Sequence, residues 1–212
     1  MTPAAELQAA LDAVPDYLAP AETIARIAEG LLDLGVRESD GQNRGPHLDE
    51  IFGQLGIDPR RAPAWCAYVN RWIVQAAQRK CEVSWKMPTS GSAVRQWHKA
   101  DPAQRILRED IKAKILAGWS PRGCIYVRTR TSAPPATRDH ALVHPTKGHT
   151  GAVLGHHFDP VDSDRLVLPA SAGNSAGDGH DNTGTGAYAR EVIAEGGAAW
   201  LRLLGLIEPQ TW

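Results

Sequence analysis

The sequence predicts an α+β domain in which a helical layer comes first and packs on an antiparallel sheet built from the later half of the chain. Three observations point there. Up to Gly118, apolar residues recur at helical spacing between Pro, Ser or Asp starts and Gly stops. From Gly123 onward the period shortens, and β-rich runs follow one another. Turn-forming clusters then separate those runs, which fits strands that fold back rather than crossover helices.

The elements follow in order. "AETIARIAEGLLDLG" places Ile24, Ile27, Leu31 and Leu34 on one helical face, with Gly35 available to end it. "PHLDEIFGQLG" repeats the device with Pro46 near the start and Gly56 at the stop; between the two lies the polar turn cluster "VRESDGQNRGP". After Pro63, Val69, Trp72, Ile73, Ala76 and Ala77 recur at helical spacing, so Cys66 falls in or just before a first turn. "SGSAVRQWHKA" reads as a shorter helix with a Ser cap. "DPAQRILREDIKAKILAG" reads as one further helix, with Asp101 as cap, Pro102 in the first turn and Gly118 as terminator. "CIYVRTR", "GHTGAVLGHHF" and "RLVLPASAG" are strand candidates, separated by "TSAPPATRDHALVHPTK" and "DPVDSD". The Gly-rich stretch from Gly173 to Gly186 is expected to be a surface loop. "AWLRLLGLI" fits a closing helix or a last strand equally.

Composition narrows the function classes. The chain has 212 residues, 42% of them hydrophobic, enough for one core with an appendage. The 23 basic side chains against 24 acidic ones give no overall attraction to nucleic acid, and no nucleic-acid partner is expected. Between Arg95 and Arg130, nine Lys or Arg stand against three Asp or Glu, a stretch that reads either as a solvated helix face or as a dock for an anionic polymer. No stretch approaches the roughly 20 apolar residues of a membrane span, so no membrane insertion is expected. "MTPAAELQAALDAVPDYL" lacks the basic start and apolar run of a secretory signal, which predicts synthesis in the cytoplasm. Three cysteines, Cys66, Cys81 and Cys124, argue against a disulfide scaffold.

One of the three is placed for chemistry. A thiol attacks as thiolate, and the N–H groups at a helix start lower the cost of that charge. An imidazole completes the activation by taking the proton and later giving it to a leaving amine, and a third polar group holds the imidazole in orientation. His149 sits in "KGHTGAVLG", where glycines let a strand begin abruptly and present a side chain at its mouth. Asn174 ends the next strand candidate. If residues 149–155 and 165–173 pair antiparallel, His149 lies beside Asn174. The competing reading of Cys66 is a small buried hydrophobe.

The segments "VRESDGQNRGPHLDEIFGQLGIDPRRAPAWCAYVNRWIVQAA", "SGSAVRQW", "GCIYV", "GHTGAVLG", "AGNS" and "GTGAYAR" resemble, in that order, the CHAP-type branch of the NlpC/P60 cysteine peptidases. The similarity spans roughly residues 30 to 190. It implies a papain-like half-fold, with a nucleophile helix on an antiparallel sheet, and hydrolysis of amide bonds in bacterial peptidoglycan. It also implies Cys66 as nucleophile, His149 as general base and acid, and Asn174 as the orienting group. On this reading residues 1–29 are a helical extension and 30–212 the peptidase domain, with a helical insertion at about 101–118. The sequence departs from the family at Ala172, where many relatives carry a carboxylate two positions before the Asn, and at Gly123-Cys124, where they commonly open Gly-Asp.

The surroundings follow from both readings. Gln42 and Asn43 are candidates for the second oxyanion donor beside the Cys66 N–H. Trp65, Tyr68 and Trp97 are candidate cleft walls, whereas Trp72 and Trp200 read as core. His140, His144, His156, His157 and Asp159 lack a zinc-motif spacing, and the run from Asp178 has Ala189 where a calcium loop needs Glu, so no metal and no cofactor is expected. The expected protein is a monomeric peptidoglycan endopeptidase or amidase of the phage-lysin or antibacterial-effector type, acting on the wall after release or delivery. The alternative is a wall-binding or virion structural module without turnover, for which Ala172 is the motive.

Overall fold

A computed structural model describes residues 1–40, 43–61, 65–83, 90–129, 148–175 and 186–209; of Arg61, Asn174 and Ser175 it describes the backbone. Helices α1 (Pro3–Asp12), α2 (Pro20–Asp33), α3 (Pro46–Gln54), α4 (Cys66–Lys80) and α5 (Ala93–Lys99) come first. Then β1 (Arg105–Leu107), α6 (Arg108–Leu116), β2 (Ile125–Thr129), β3 (Gly148–Val153), β4 (His157–Phe158), β5 (Leu166–Ser175), β6 (Ala187–Ala194), α7 (Ala198–Leu201) and β7 (Leu203–Ile207) complete the described chain. The α+β class expected from the sequence is what is observed.

The helix signals act as expected. α2 and α3 start on Pro20 and Pro46, and Gly35 and Gly56 follow them in the left-handed region (φ +63° and +69°), which a side-chain-free residue enters at no steric cost. Ser92 caps α5, its hydroxyl accepting from the Arg95 N–H. The segment from Asp101 to Gly118 is different. It opens with a 3-10 turn, Pro102–Gln104, runs into β1 and only then becomes α6. Asp101 caps that short turn through the Ala103 N–H (2.9 Å). The reason is tertiary: Arg105–Leu107 pairs with β7, so three residues that fit a helix serve as a sheet edge. "AWLRLLGLI" resolves into both options, one helical turn and a strand.

All strand pairings are antiparallel, in the order β1-β7-β2-β3-β5, with β4 and β6 also on β5. Val167 and Ala170–Ala172 each have a partner on β6 as well as on β4 or β3, so β6 occupies one edge of β5 and the other two share the opposite edge. Alternation then divides the sheet. Ile125, Val127, Ala152 and Ile207 join the core formed with α2, α3, α4 and α5, in which Trp72, Ile73, Phe52 and Leu31 are buried. Tyr126, Val153, Ala170, Ala172, Ile193 and Leu206 belong to a second core under α6 and Trp200. Arg122 ties the layers together: its guanidinium donates to Glu22, to Glu29 (2.9 Å) and to the Leu154 carbonyl.

Candidate functional site

Cys66 is the first residue of α4, and His149 the second residue of β3. The two side chains are hydrogen-bonded. His149 Nε2 lies 2.8 Å from Glu191 Oε1 on β6; the carboxylate accepts, so Nε2 carries the proton and Nδ1 is the nitrogen left for the thiol. Glu191 is held from two further directions. Tyr126 donates its hydroxyl to Oε2 (2.6 Å), and Arg128 Nη2 stands 3.3 Å from Oε2 and 3.4 Å from Oε1.

Sheet register explains how residues so far apart in sequence share one place. Arg128 pairs with His149, Tyr126 with Gly151, Gly151 with Ala172, Ala172 with Ala189, and Ala170 with Glu191. Residues paired across antiparallel strands face the same side, as do residues two apart, so all of these point to one face. Among the described side chains, that face carries Gly151, Ala170, Ala172 and Ala189 between His149 and Glu191. A Cβ on Gly151 would lie 2.6 Å from the Tyr126 ring and 2.0 Å from the Ser171 carbonyl oxygen, so the tyrosine ring uses the space that glycine leaves. The small residues clear a path along which a carboxylate on β6 crosses β5 to reach an imidazole on β3.

The site is dry: His149 is 1% exposed, Cys66 3% and the Glu191 side chain 11%. Burial alone would pull the His149 pKa down; hydrogen bonds to Cys66 and Glu191 and the charges on both outweigh it, so the imidazolium is favoured beyond its ordinary range. Burial, together with the neighbouring Glu191 charge, pushes the Tyr126 hydroxyl well up, so it stays a donor. A cysteine that only filled space would show the same burial as Cys66. It would have no imidazole bonded to it with a carboxylate behind.

Two hydrogen-bonded links hold the nucleophile against the sheet. Asn70, one turn along α4 from Cys66, donates Nδ2 to the Thr150 hydroxyl (3.1 Å), which in turn donates to the Tyr126 carbonyl (2.6 Å). Trp65, immediately before Cys66, donates its indole N–H to Glu38 (2.8 Å). The Glu38 backbone N–H reaches the Gly186 carbonyl at the entry to β6 (2.8 Å).

The remaining expectations fare unevenly. β3 and β5 do pair antiparallel, but the group found on the imidazole is Glu191; Asn174 lies on β5 with its side chain outside the described residues. Gln42 is outside them too. Asn43 occupies a left-handed turn position (φ +60°) before α3. Trp65 and Trp97 are not cleft walls: Trp65 is wholly buried, packed where a Cβ on Gly173 would strike its ring, and Trp97 lies in the core with Arg105 over its face. Tyr68 is half-buried, edge-on to Phe52. Trp72 and Trp200 are core residues. Cys81 ends α4 and donates to the Thr23 hydroxyl, and Cys124 is buried, its thiol pushed well up by desolvation. His140, His144 and the run from Asp178 fall outside the described residues, and among the described ones no cluster of three His, Cys, Asp or Glu could hold a metal. Nor is any described helix long and apolar enough to cross a membrane.

Comparison with known proteins adds nothing to this geometry. No protein-family model matches the chain, and no curated protein and no solved structure matches it either.

Glu191 went unrecognised in the sequence because "AYAREVIA" was not read as a strand. The available signal was alternation over its second half, with Ile193 buried on the face that also carries Glu191 and with Arg190 and Val192 exposed on the other. Ala172 pairs with Ala189, and the acid on the imidazole stands two residues from that partner, on the adjoining strand.

Proposed function

We propose that the protein is a cysteine hydrolase of papain-like type that cleaves an amide bond in the stem peptide or crossbridge of bacterial peptidoglycan. The observation that carries the reading is the chain of contacts from Cys66 to His149 to Glu191 in a water-poor site. The Cys66 thiolate attacks the amide carbonyl carbon, the C–N bond breaks, and the imidazolium gives its proton to the departing amine. Water then releases the thioester. Glu191 orients the imidazole, the task that an amide performs in papain-like sites, and as a carboxylate it also balances the imidazolium charge. Backbone N–H groups in the first turn of α4 suit the oxyanion, since they have no intrahelical acceptor.

The wall as substrate comes from the resemblance of residues 30 to 190 to CHAP-type peptidases. It goes with action on the wall after release or delivery, as a phage lysin or antibacterial effector. The motive for a binding-only module weakens, because the acid missing at Ala172 has a counterpart in Glu191.

Purified sacculi incubated with the protein should lose turbidity, and Cys66→Ala should abolish the loss. Mass spectrometry of the released fragments identifies the bond by its new chain ends. Clearing by both proteins rejects the thiol mechanism. Clearing by neither, with both sedimenting on sacculi, favours the wall-binding module.

A further inference from the structure

Arg128 is a buried cation with an incomplete set of partners. Its side chain is 9% exposed, its Nη2 stands beside both Glu191 oxygens at 3.3 to 3.4 Å, and its Nε is buried without an acceptor among the described residues. A guanidinium used to lock a structural ion pair is ordinarily forked on the carboxylate through two nitrogens. Here the better-placed donors on Glu191 are His149 (2.8 Å) and Tyr126 (2.6 Å), and the arginine supplies charge more than geometry. It also pairs with His149 across β2 and β3, so it shares that residue's face.

We infer that Arg128 is a positioning residue that holds Glu191 ionised whether or not His149 is protonated, and so keeps a neutral imidazole available for the second half of the reaction. The inference rests on the thiol-hydrolase reading. Among the described residues, the charged groups facing His149 are Cys66 from α4, Glu191 from β6 and Arg128 from β2; Tyr126, also from β2, is a neutral donor. Were Glu191 the sole fixed charge, its buried carboxylate would demand a cation, and the imidazole would be held as imidazolium. That form serves the first step, where it protonates the amine. It cannot serve the second. There the neutral Nδ1 takes a proton from water, the water oxygen bonds to the thioester carbonyl carbon, and the C–S bond breaks. Sulfur leaves as thiolate, and a free acid results. With Arg128 present, Arg and Glu sum to zero, and the transfer of a proton between Cys66 and His149 leaves the site's total unchanged.

The imidazole nitrogen shifts of His149, followed against pH in the 15N-histidine-labelled full chain and assigned with His149→Gln, test this without any substrate. Arg128→Gln should raise the midpoint of His149 by about one pH unit or more. Arg128→Lys, which keeps the charge, should stay near wild type. Arg128→Gln/Glu191→Gln has no unpaired buried charge and so tolerates the change if the single variant does not fold. Its midpoint should fall below wild type, because Glu191 touches the imidazole and Arg128 acts through Glu191. An unchanged or lowered midpoint in Arg128→Gln, or a midpoint in the double variant at or above wild type, overturns the inference. Because sacculi play no part in the titration, an inert protein that titrates as described would sink the hydrolase and leave standing only the hold of Arg128 on the charge of Glu191.

Discussion

The two faces of β3 solve opposite problems with adjacent residues. His149 points to the side where Tyr126, Arg128 and Glu191 meet, and Thr150 points to the side where α4 packs. On the Thr150 side, alternation delivers Ala152, Ile125 and Val127 to a closed apolar core, and a polar pair, Asn70 with Thr150, fastens helix to strand. On the His149 side the same alternation gathers ionisable groups, and the described side chains between them are those of Gly and Ala. The difference teaches that a buried polar cluster needs vacancy as much as partners. Gly151, Ala170 and Ala172 define the reach of Glu191, just as Trp72 and Phe52 define the packing behind it.

Filling that vacancy should give the largest effect. Ala172→Leu adds only apolar volume, yet it puts a side chain between Glu191 and His149. We expect kcat for amide hydrolysis to fall by about 10² or more, the scale of lost general acid–base assistance, with KM changed less. A variant as active as wild type, with its fold intact by circular dichroism, would show that the carboxylate is not needed where it stands.

The opposite face should respond in stability first. Thr150→Val keeps the shape and removes the hydroxyl, leaving the Asn70 side-chain amide buried opposite a methyl group. Urea unfolding should register a loss of about 1–3 kcal/mol. Activity should fall with it, since Asn70 and Cys66 are on the same helix one turn apart. A loss of stability with undiminished turnover would separate the seal from the site.

The smallest effect concerns pH. The folded His149 pKa lies above its ordinary value, near 6.5, so the stability it contributes is fully present below about pH 6.5 and is lost as pH rises through the folded value. The gap in unfolding free energy between wild type and His149→Gln should therefore narrow on going from acid to alkaline buffer. The change is about 1.4 kcal/mol for each unit by which the pKa is raised. A gap that widens with pH would mean that burial, not the carboxylate, dominates at the imidazole.

Much of the architecture was legible because local chemistry and tertiary demand agree. Pro20, Pro46 and Ser92 start helices, and Gly35 and Gly56 follow them, wherever the chain goes next. The pattern after Pro63 put Cys66 at a helix start, and the glycines about His149 put it at a strand mouth. The stretch from Asp101 to Gly118 misled for a physical reason: its residues suit a helix, and pairing of Arg105–Leu107 with β7 outweighs that local preference. The aromatic residues Trp65 and Trp97 misled because a flat ring suits a sugar surface and a protein core alike, and only packing against Gly173 or Gly205 distinguishes the two.

By itself, the order of residues determined which half of this chain would be helical, which would be strands, and that a thiol at a helix start and an imidazole at a strand start were available to one another. Which acid would serve them was decided only in three dimensions. Cross-strand register relates residues by their distance from a shared neighbour, and Glu191 comes to His149 through β5, by way of a strand pairing that neither residue's own surroundings in the sequence record.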